Sequence, residues 1–246
     1  MKAETRRAAK IGVLVPFTNT NLEADMMVMR APDTTVHFQR LGGYDVDEIP
    51  GSDQMAGLGA SDIDYDLRMI SGVRPDVVLY GCTSATLTHG PSFDSDLAEK
   101  IRTRCGALCF TAASSLISAM QALEVTRIGF SSPYLGEINE QAMGFFRLNG
   151  IETLKCHDVG RELGNYGQGE LSPDEVFELG LGADHPDAQA IVLSCTDMRS
   201  VEAVERLEAA LNKPVITSNQ AMMFSLVKAL KLPRHENLPG RLFDLL

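Results

Sequence analysis

Two cysteines, Cys82 and Cys195, stand in the same local setting. Each closes an apolar run and precedes a threonine, in Asp76-Val77-Val78-Leu79-Tyr80-Gly81-Cys82-Thr83 and Gln189-Ala190-Ile191-Val192-Leu193-Ser194-Cys195-Thr196. A free thiol ionises at about pH 8.5, close enough to neutrality to serve as nucleophile, base or acid. Two thiols facing one small molecule can exchange a proton across opposite faces of a carbon next to a carboxylate. Alternatively, one can add to carbon while the other serves the neighbouring atom. Thr83, Ser84 and Thr196, with the backbone N–H groups that follow each cysteine, suit a substrate carboxylate and the enolate-like charge that develops on it. A helix opening directly after each cysteine would favour thiolate and carboxylate alike. A lone cysteine at a strand end is more often a small buried apolar residue. The recurrence of Cys-Thr at matching points is what turns the reading toward chemistry. Cys105, Cys109 and Cys156 lack such a counterpart and read as packing residues.

The elements that must position this pair are short β-branched runs alternating with longer helical patterns. Strands are expected at 10–16, 35–40, 76–81, 107–111, 127–131, 152–158, 189–194 and 214–217. Helices are expected near 61–72, 93–104, 114–124, 136–149, 173–182, 198–211 and 220–231. Runs that are apolar throughout, such as Val77-Val78-Leu79-Tyr80, suit parallel sheets covered on both faces. Gly42 to Gly59, rich in Gly, Asp and Ser, reads as a loop over the site.

The chain also repeats itself. Ile11-Gly12, three residues, Pro16-Phe17 is echoed by Ile128-Gly129, three residues, Pro133-Tyr134, at an offset of 117; the Cys-Thr strands are offset by 113. A looser echo pairs Phe110-Thr111 and its helix with Ile216-Thr217 and its helix. The expected fold is therefore α/β with two pseudo-symmetric lobes, each a parallel sheet flanked by helices, and the site lies in the cleft between them, outside the carboxyl ends of the strands. We assign residues 1–113 plus 214–246 to the N-terminal lobe, with the last strand and helix returning to it, and residues 114–213 to the second lobe.

Several short stretches together resemble a known family: Pro16-Phe17-Thr18-Asn19-Thr20-Asn21-Leu22-Glu23, Tyr80-Gly81-Cys82-Thr83-Ser84, Ser132-Pro133-Tyr134, Asn165-Tyr166-Gly167, Ser194-Cys195-Thr196 and Ser218-Asn219-Gln220-Ala221. In order and spacing they are similar to the aspartate/glutamate racemase superfamily. The nearest branch holds maleate cis-trans isomerases, arylmalonate decarboxylases and ectoine-utilisation relatives. The resemblance runs from Ile11 to about Leu230. It implies a cofactor-independent enzyme with no metal, Cys82 as nucleophile, Cys195 as its acid/base partner, and Asn19, Tyr134 and Asn165 on the substrate carboxylates. Read without it, Asn19 is a turn or cap residue, Tyr134 a half-buried aromatic and Asn165 part of a glycine-flanked turn. Thr-Ser after the first cysteine and Ser218-Asn219-Gln220-Ala221 look more like the decarboxylase and ectoine-associated members, yet those decarboxylases carry glycine where this chain has Cys82.

Composition bounds the rest. The 246 residues are 44% hydrophobic and carry a formal charge of −11, an ordinary globular balance with a field that repels phosphate backbones and anionic lipid. No membrane or nucleic-acid partner is expected. The expected partners are a small mono- or dicarboxylate and further copies of the same chain in a homo-oligomer. No Cys-x-x-Cys or zinc spacing occurs, and Gly180-Leu181-Gly182 lacks the third glycine of a dinucleotide motif. The cysteines are expected as reduced thiols in the cytoplasm.

The leading reading is a cofactor-independent racemase or cis-trans isomerase using Cys82 and Cys195. The alternatives are a decarboxylase of a malonate-type diacid with Cys195 as proton donor, a ligand-binding protein without catalysis, and a thiol redox sensor.

Overall fold

A computed structural model describes residues 8–42, 51–234 and 238–246. The described elements run β1 (Ala9–Pro16), α1 (Leu22–Val28), β2 (Thr34–Leu41), α2 (Ser52–Ala60), α3 (Asp64–Ser71), β3 (Val77–Tyr80), α4 (Thr83–Leu87), α5 (Pro91–Cys105), β4 (Leu108–Thr111) and α6 (Ala112–Ala122). They continue as β5 (Arg127–Ser132), α7 (Gly136–Leu148), β6 (Glu152–Asp158), α8 (Gly167–Glu170), α9 (Pro173–Gly182), β7 (Ala190–Leu193), α10 (Val204–Leu211), β8 (Val215–Thr217) and α11 (Ser218–Leu230). No described helix is long and apolar enough to cross a membrane.

The strands form two parallel four-stranded sheets, ordered β2-β1-β3-β4 and β6-β5-β7-β8. Each is the other shifted by four strands, and the register repeats too: Gly12 pairs with Val78 and Gly129 with Ile191. The Cys-Thr strands β3 and β7 are therefore equivalent central strands.

Alternation along the strands divides the core into three layers. Ile11, Val13, Val77 and Leu79 of the first sheet and Ile128, Phe130, Val192 and Ile216 of the second face a shared inner core with α6 and α11. Leu14, Val78 and Tyr80 face an outer core built by α2, α3 and α5; Ile191, Leu193 and Val215 face its counterpart under α9 and α10. The inner helices start alike. Thr111 and Thr217 cap them by accepting from the N–H groups of Ser114 and Gln220. Such side-chain caps satisfy donors that would otherwise be orphaned at a buried helix end.

Two expectations need correcting. Strand β8 does not return to the first lobe. It pairs with β7, Val192 opposite Ile216 and Leu193 opposite Thr217. A short turn after α10 brings the chain back beside the strand it has just left, the usual crossover for a parallel sheet. Helix α11, by contrast, packs along α6 and reaches α1 and β4.

The second correction concerns the expected loop at 42–59. Residues 43–50 lie outside the described ones, but Ser52–Ala60 is helical, with Met55 and Leu58 buried on one face. Its Gly59 marks close packing and not a turn. A Cβ on Gly59 would stand 2.5 Å from the Ala85 carbonyl oxygen of α4.

Gly129 shows the same constraint more severely. A Cβ there would lie 2.1 Å from the Ala183 carbonyl oxygen at the end of α9 and 2.9 Å from Ile191 Cδ1. Backbone cannot yield as a flexible side chain does. Gly129→Ala is expected to cost about 3 kcal/mol, the upper part of the usual overpacking range, measured as a lowered urea midpoint with unchanged slope.

Candidate active site

The carboxyl ends of β1, β3, β5 and β7 open into one cavity of about 310 Å³. Six of the eight residues named from sequence line it: Asn19, Cys82, Ser84, Tyr134, Cys195 and Thr196. The two thiols are free, and only 5% and 4% exposed, so the solvent they see is essentially that of the cavity. Thr83 and Asn165 are not among the lining residues. Thr83 donates its hydroxyl to Ser218 Oγ of α11 at 3.0 Å. Asn165 is buried next to the lining residue Gly164, and its carbonyl accepts from Gln168 at 2.8 Å.

The two cysteines sit in different local frames. Cys82 is the N-cap residue of α4, so that helix opens directly behind it as expected. Burial pushes its thiol up, while the Ala85 N–H and the Ser84 hydroxyl, 3.7 Å from the sulfur, pull it back. No helix follows Cys195. A turn over Thr196–Met198 leads to a 3-10 turn at Val201–Ala203 before α10 begins. The Asp197 N–H points at the Cys195 sulfur, 3.4 Å away. Burial and the Asp197 carboxylate push this thiol up to about 12.

Tyr134 links the pair. Its phenol interacts with Cys195 and Ser84 and feels Cys82, and burial among them holds it well above the usual tyrosine range, as a neutral donor. A short network fixes the backbone that carries the ring. Tyr134 N–H donates to Ser132 Oγ at 3.1 Å, Ser132 donates to Asn139 Oδ1 at 2.6 Å, and Asn139 Nδ2 donates to the Tyr134 carbonyl at 2.7 Å.

The lobes are stitched together directly beneath the cavity. Asn19 Nδ2 donates to Thr196 Oγ1 at 3.0 Å, and Thr196 passes its own proton to the Gly81 carbonyl at 2.8 Å. Asn19 Oδ1 accepts from the N–H groups of Asn21 and Leu22, so the turn reading and the site reading of this residue hold together. Behind Thr196, Asn219 Nδ2 donates to its carbonyl at 3.0 Å and to Asp25 Oδ2 at 2.7 Å. The hydroxyl of Thr196 thus serves the lobe contact.

Several lining residues were not singled out from sequence. Helix α2 contributes Ser52, Met55 and Leu58, and Met55 Sδ accepts the Ser84 hydroxyl at 2.9 Å. Leu135, Ile138 and Leu163 complete an apolar wall; Glu137, Arg161, Glu162 and Asp197 bring charge. Asp197 had a weak signal, since it stands two residues after Cys195, where Ser84 stands after Cys82. His89 bonds the Ala56 carbonyl at 2.8 Å and stacks on Phe93, a structural role away from the lining. Cys105, Cys109 and Cys156 pack against the hydrophobic cores, off the cavity.

Comparison with known proteins places this arrangement among relatives. The family model described as arylmalonate decarboxylase matches residues 62–243. The chain is 25% identical to a maleate isomerase of Geobacillus stearothermophilus over 96% of this chain and 97% of that one. It is 26% identical to an arylmalonate decarboxylase of Bordetella bronchiseptica over 74% and 76% of the two chains. Among solved structures, it superposes with a TM-score of 0.87 on a Nocardia farcinica maleate cis-trans isomerase, 22% identical, covering 96% of this chain and 98% of that one. That protein is a cysteine-to-serine mutant with a covalently bound succinylcysteine intermediate.

Proposed function

The chain belongs to the arylmalonate decarboxylase family, and from that premise we propose that it is a cofactor-independent cis-trans isomerase of a small unsaturated carboxylic acid of the maleate type. The observation that carries the reading is the pair of nearly buried thiols, Cys82 and Cys195, on one cavity. A decarboxylase of a malonate-type diacid needs a single protonating thiol, and Cys82 would then have no task.

In the proposed reaction, the substrate carboxylates are held by Asn19, Ser84 and the Tyr134 phenol, with Thr83, Asn165 and Thr196 shaping the ground behind them. Cys82 first gives its proton to solvent, from which it is regained after turnover, and its sulfur adds as the thiolate to one alkene carbon. The π pair moves onto the neighbouring carbon and its carboxylate, where Cys195 supplies a hydrogen bond or proton. With the double bond reduced to a single bond, the substrate rotates. The carbon–sulfur bond then breaks, the π bond re-forms in the trans arrangement, and any proton taken from Cys195 returns to it. Atoms and electrons balance without a co-reactant. The covalently bound succinylcysteine in the Nocardia farcinica protein supports such an adduct by likeness of fold. The reading includes a cytoplasmic homo-oligomer.

The test is conversion of maleate to fumarate followed by proton NMR with no added cofactor. Absence of that product, with carbon dioxide released from an arylmalonate instead, would transfer the assignment to the decarboxylase. The pH profile has a definite sign. Burial raises the Cys82 thiol, so it is protonated at neutrality, and the reactive thiolate fraction grows with pH. The kcat/KM for maleate is expected to climb about tenfold per unit from roughly pH 7 to 9. A flat profile there would mean that no thiol of the free enzyme must ionise.

A further inference from the structure

The repeat places Ser84 and Asp197 at equivalent positions, each two residues beyond its cysteine. Ser84 sets its hydroxyl oxygen 3.7 Å from the Cys82 sulfur. Asp197 offers its backbone N–H to the Cys195 sulfur and sets a carboxylate beside it. That carboxylate has a second engagement. Asp197 Oδ1 accepts from the N–H groups of Thr20 at 2.7 Å and Asn21 at 3.1 Å, and from Asn21 Nδ2 at 3.3 Å. Asn21 Nδ2 also donates to the Asp197 carbonyl at 2.8 Å and to the Gly169 carbonyl at 3.0 Å. Asp197 is 4% exposed and lines the cavity, while its Oδ2 is buried with no donor among the described residues.

We propose that Asp197 is a positioning residue that clamps the Thr20–Asn21 turn of the first lobe onto the Cys195 turn of the second and keeps Cys195 as the proton-bearing member of the pair. The inference rests on the two-thiol reading above and says how two repeat-related cysteines come to differ. A carboxylate held by backbone N–H donors stays acceptor-only, and negative charge beside a sulfur opposes its ionisation. Burial raises the Asp197 carboxyl, and the Thr20 and Asn21 donors offset part of that rise. The other groups facing Cys195 are Tyr134 and Cys82 across the cavity. Asp197 in turn raises the carboxyl of Asp25, on which Glu202 acts in the same sense and Arg199 in the opposite one. The first lobe lacks this device, so its thiol, at the head of a helix and beside a hydroxyl, is the one that ionises.

The experiment reads thiols and amides, not turnover, so its failure is distinct from failure of the proposed reaction. The pH dependence of iodoacetamide labelling at Cys82 and at Cys195 is measured separately by peptide mass spectrometry, with hydrogen exchange of residues 18–22. In Asp197→Asn, the Cys195 labelling midpoint is expected to fall by at least about one pH unit, a tenfold gain in thiolate at fixed pH, with Cys82 moving less. The Thr20 and Asn21 amides should stay protected, since an amide oxygen still accepts from them. In Asp197→Ala, the same thiol shift should be joined by faster exchange of those amides. An unmoved Cys195 midpoint, or an equal fall at Cys82, overturns the proposal. Should these variants not fold, Asn21→Ala keeps the charge and weakens the clamp. Cys195 must then keep its midpoint while the Thr20 amide exchanges faster, and a midpoint that moves with Asn21→Ala overturns assignment of the thiol effect to the carboxylate.

Discussion

Cys82→Ser is expected to lower kcat for maleate isomerisation about a thousandfold or more, with little change in KM. A serine hydroxyl is the same shape but ionises far above neutral pH, so the cavity keeps its carboxylate contacts and loses the sulfur that adds to carbon. Cys195→Ser removes a proton carrier and leaves the nucleophile. Its expected loss is about a hundredfold to ten-thousandfold, the ordinary span of a positioned acid or base. The two variants then separate by what they accumulate. Intact-protein mass spectrometry after incubation with maleate should find a one-substrate adduct on Cys195→Ser, and none on Cys82→Ser. A decarboxylase predicts the reverse ordering: near-normal carbon dioxide release in Cys82→Ser and collapse in Cys195→Ser. Equal, mild effects in both would leave neither cysteine in the chemistry and return them to the role of small buried residues.

Both thiols are buried, and burial alone would hold both protonated. What distinguishes them is local and polar: the α4 N-terminus and Ser84 at one, Asp197 at the other. A pseudo-symmetric scaffold therefore supplies matched positions for two sulfurs, and on the reading proposed above the residue two places on sets which would be base and which acid. This division matches an addition reaction better than a racemase, in which both thiols must alternate between the two states.

The central strands β3 and β7 were legible because their runs are apolar on both faces, and the structure buries both faces; the edge strands β2 and β6 showed instead as short β-branched or apolar residues interleaved with polar ones. The repeat made the paired Cys-Thr units stand out where a lone cysteine would not. Short elements hid for physical reasons. Helices α2 and α4 carry glycines or hydroxyls where a free-standing helix would carry alanine or leucine; packing of α2 on α4, not propensity, forms them. Placing β8 beside the first sheet failed because sequence order and an echo of Phe110-Thr111 do not say which neighbour a strand pairs with. The contacts of Asp197 and Asn219 were not legible because their partners lie far along the chain: Thr20 is 177 residues from Asp197, Asp25 is 194 from Asn219, and the Thr196 carbonyl is separated from Asn219 by α10 and β8.

Asp25→Asn is expected to stabilise the protein at alkaline pH. Asp25 sits in α1, 9% exposed, and accepts from Asn219 Nδ2. Burial is the main reason its carboxyl rises to about 7; the Asn219 bond pulls the other way, and Glu202 and Asp197 add to the rise. The unfolded chain would titrate this group near 3.8. Between those values the folded protein holds a proton that the unfolded chain has released, so stability falls as pH rises through the window and stays lower above it. About three pH units at 1.36 kcal/mol each set an upper bound of about 4 kcal/mol. Asparagine keeps an oxygen for Asn219 and carries no charge to bury. At pH 8 its urea midpoint should exceed that of the wild type, and by pH 4 the two should converge. The variant should also remove the part of the pH dependence lying between about 4 and 7. A variant less stable than the wild type at pH 8 would mean that Asp25 is held there as a useful charge, bound to the Asn219 and Thr196 junction more strongly than burial penalises it.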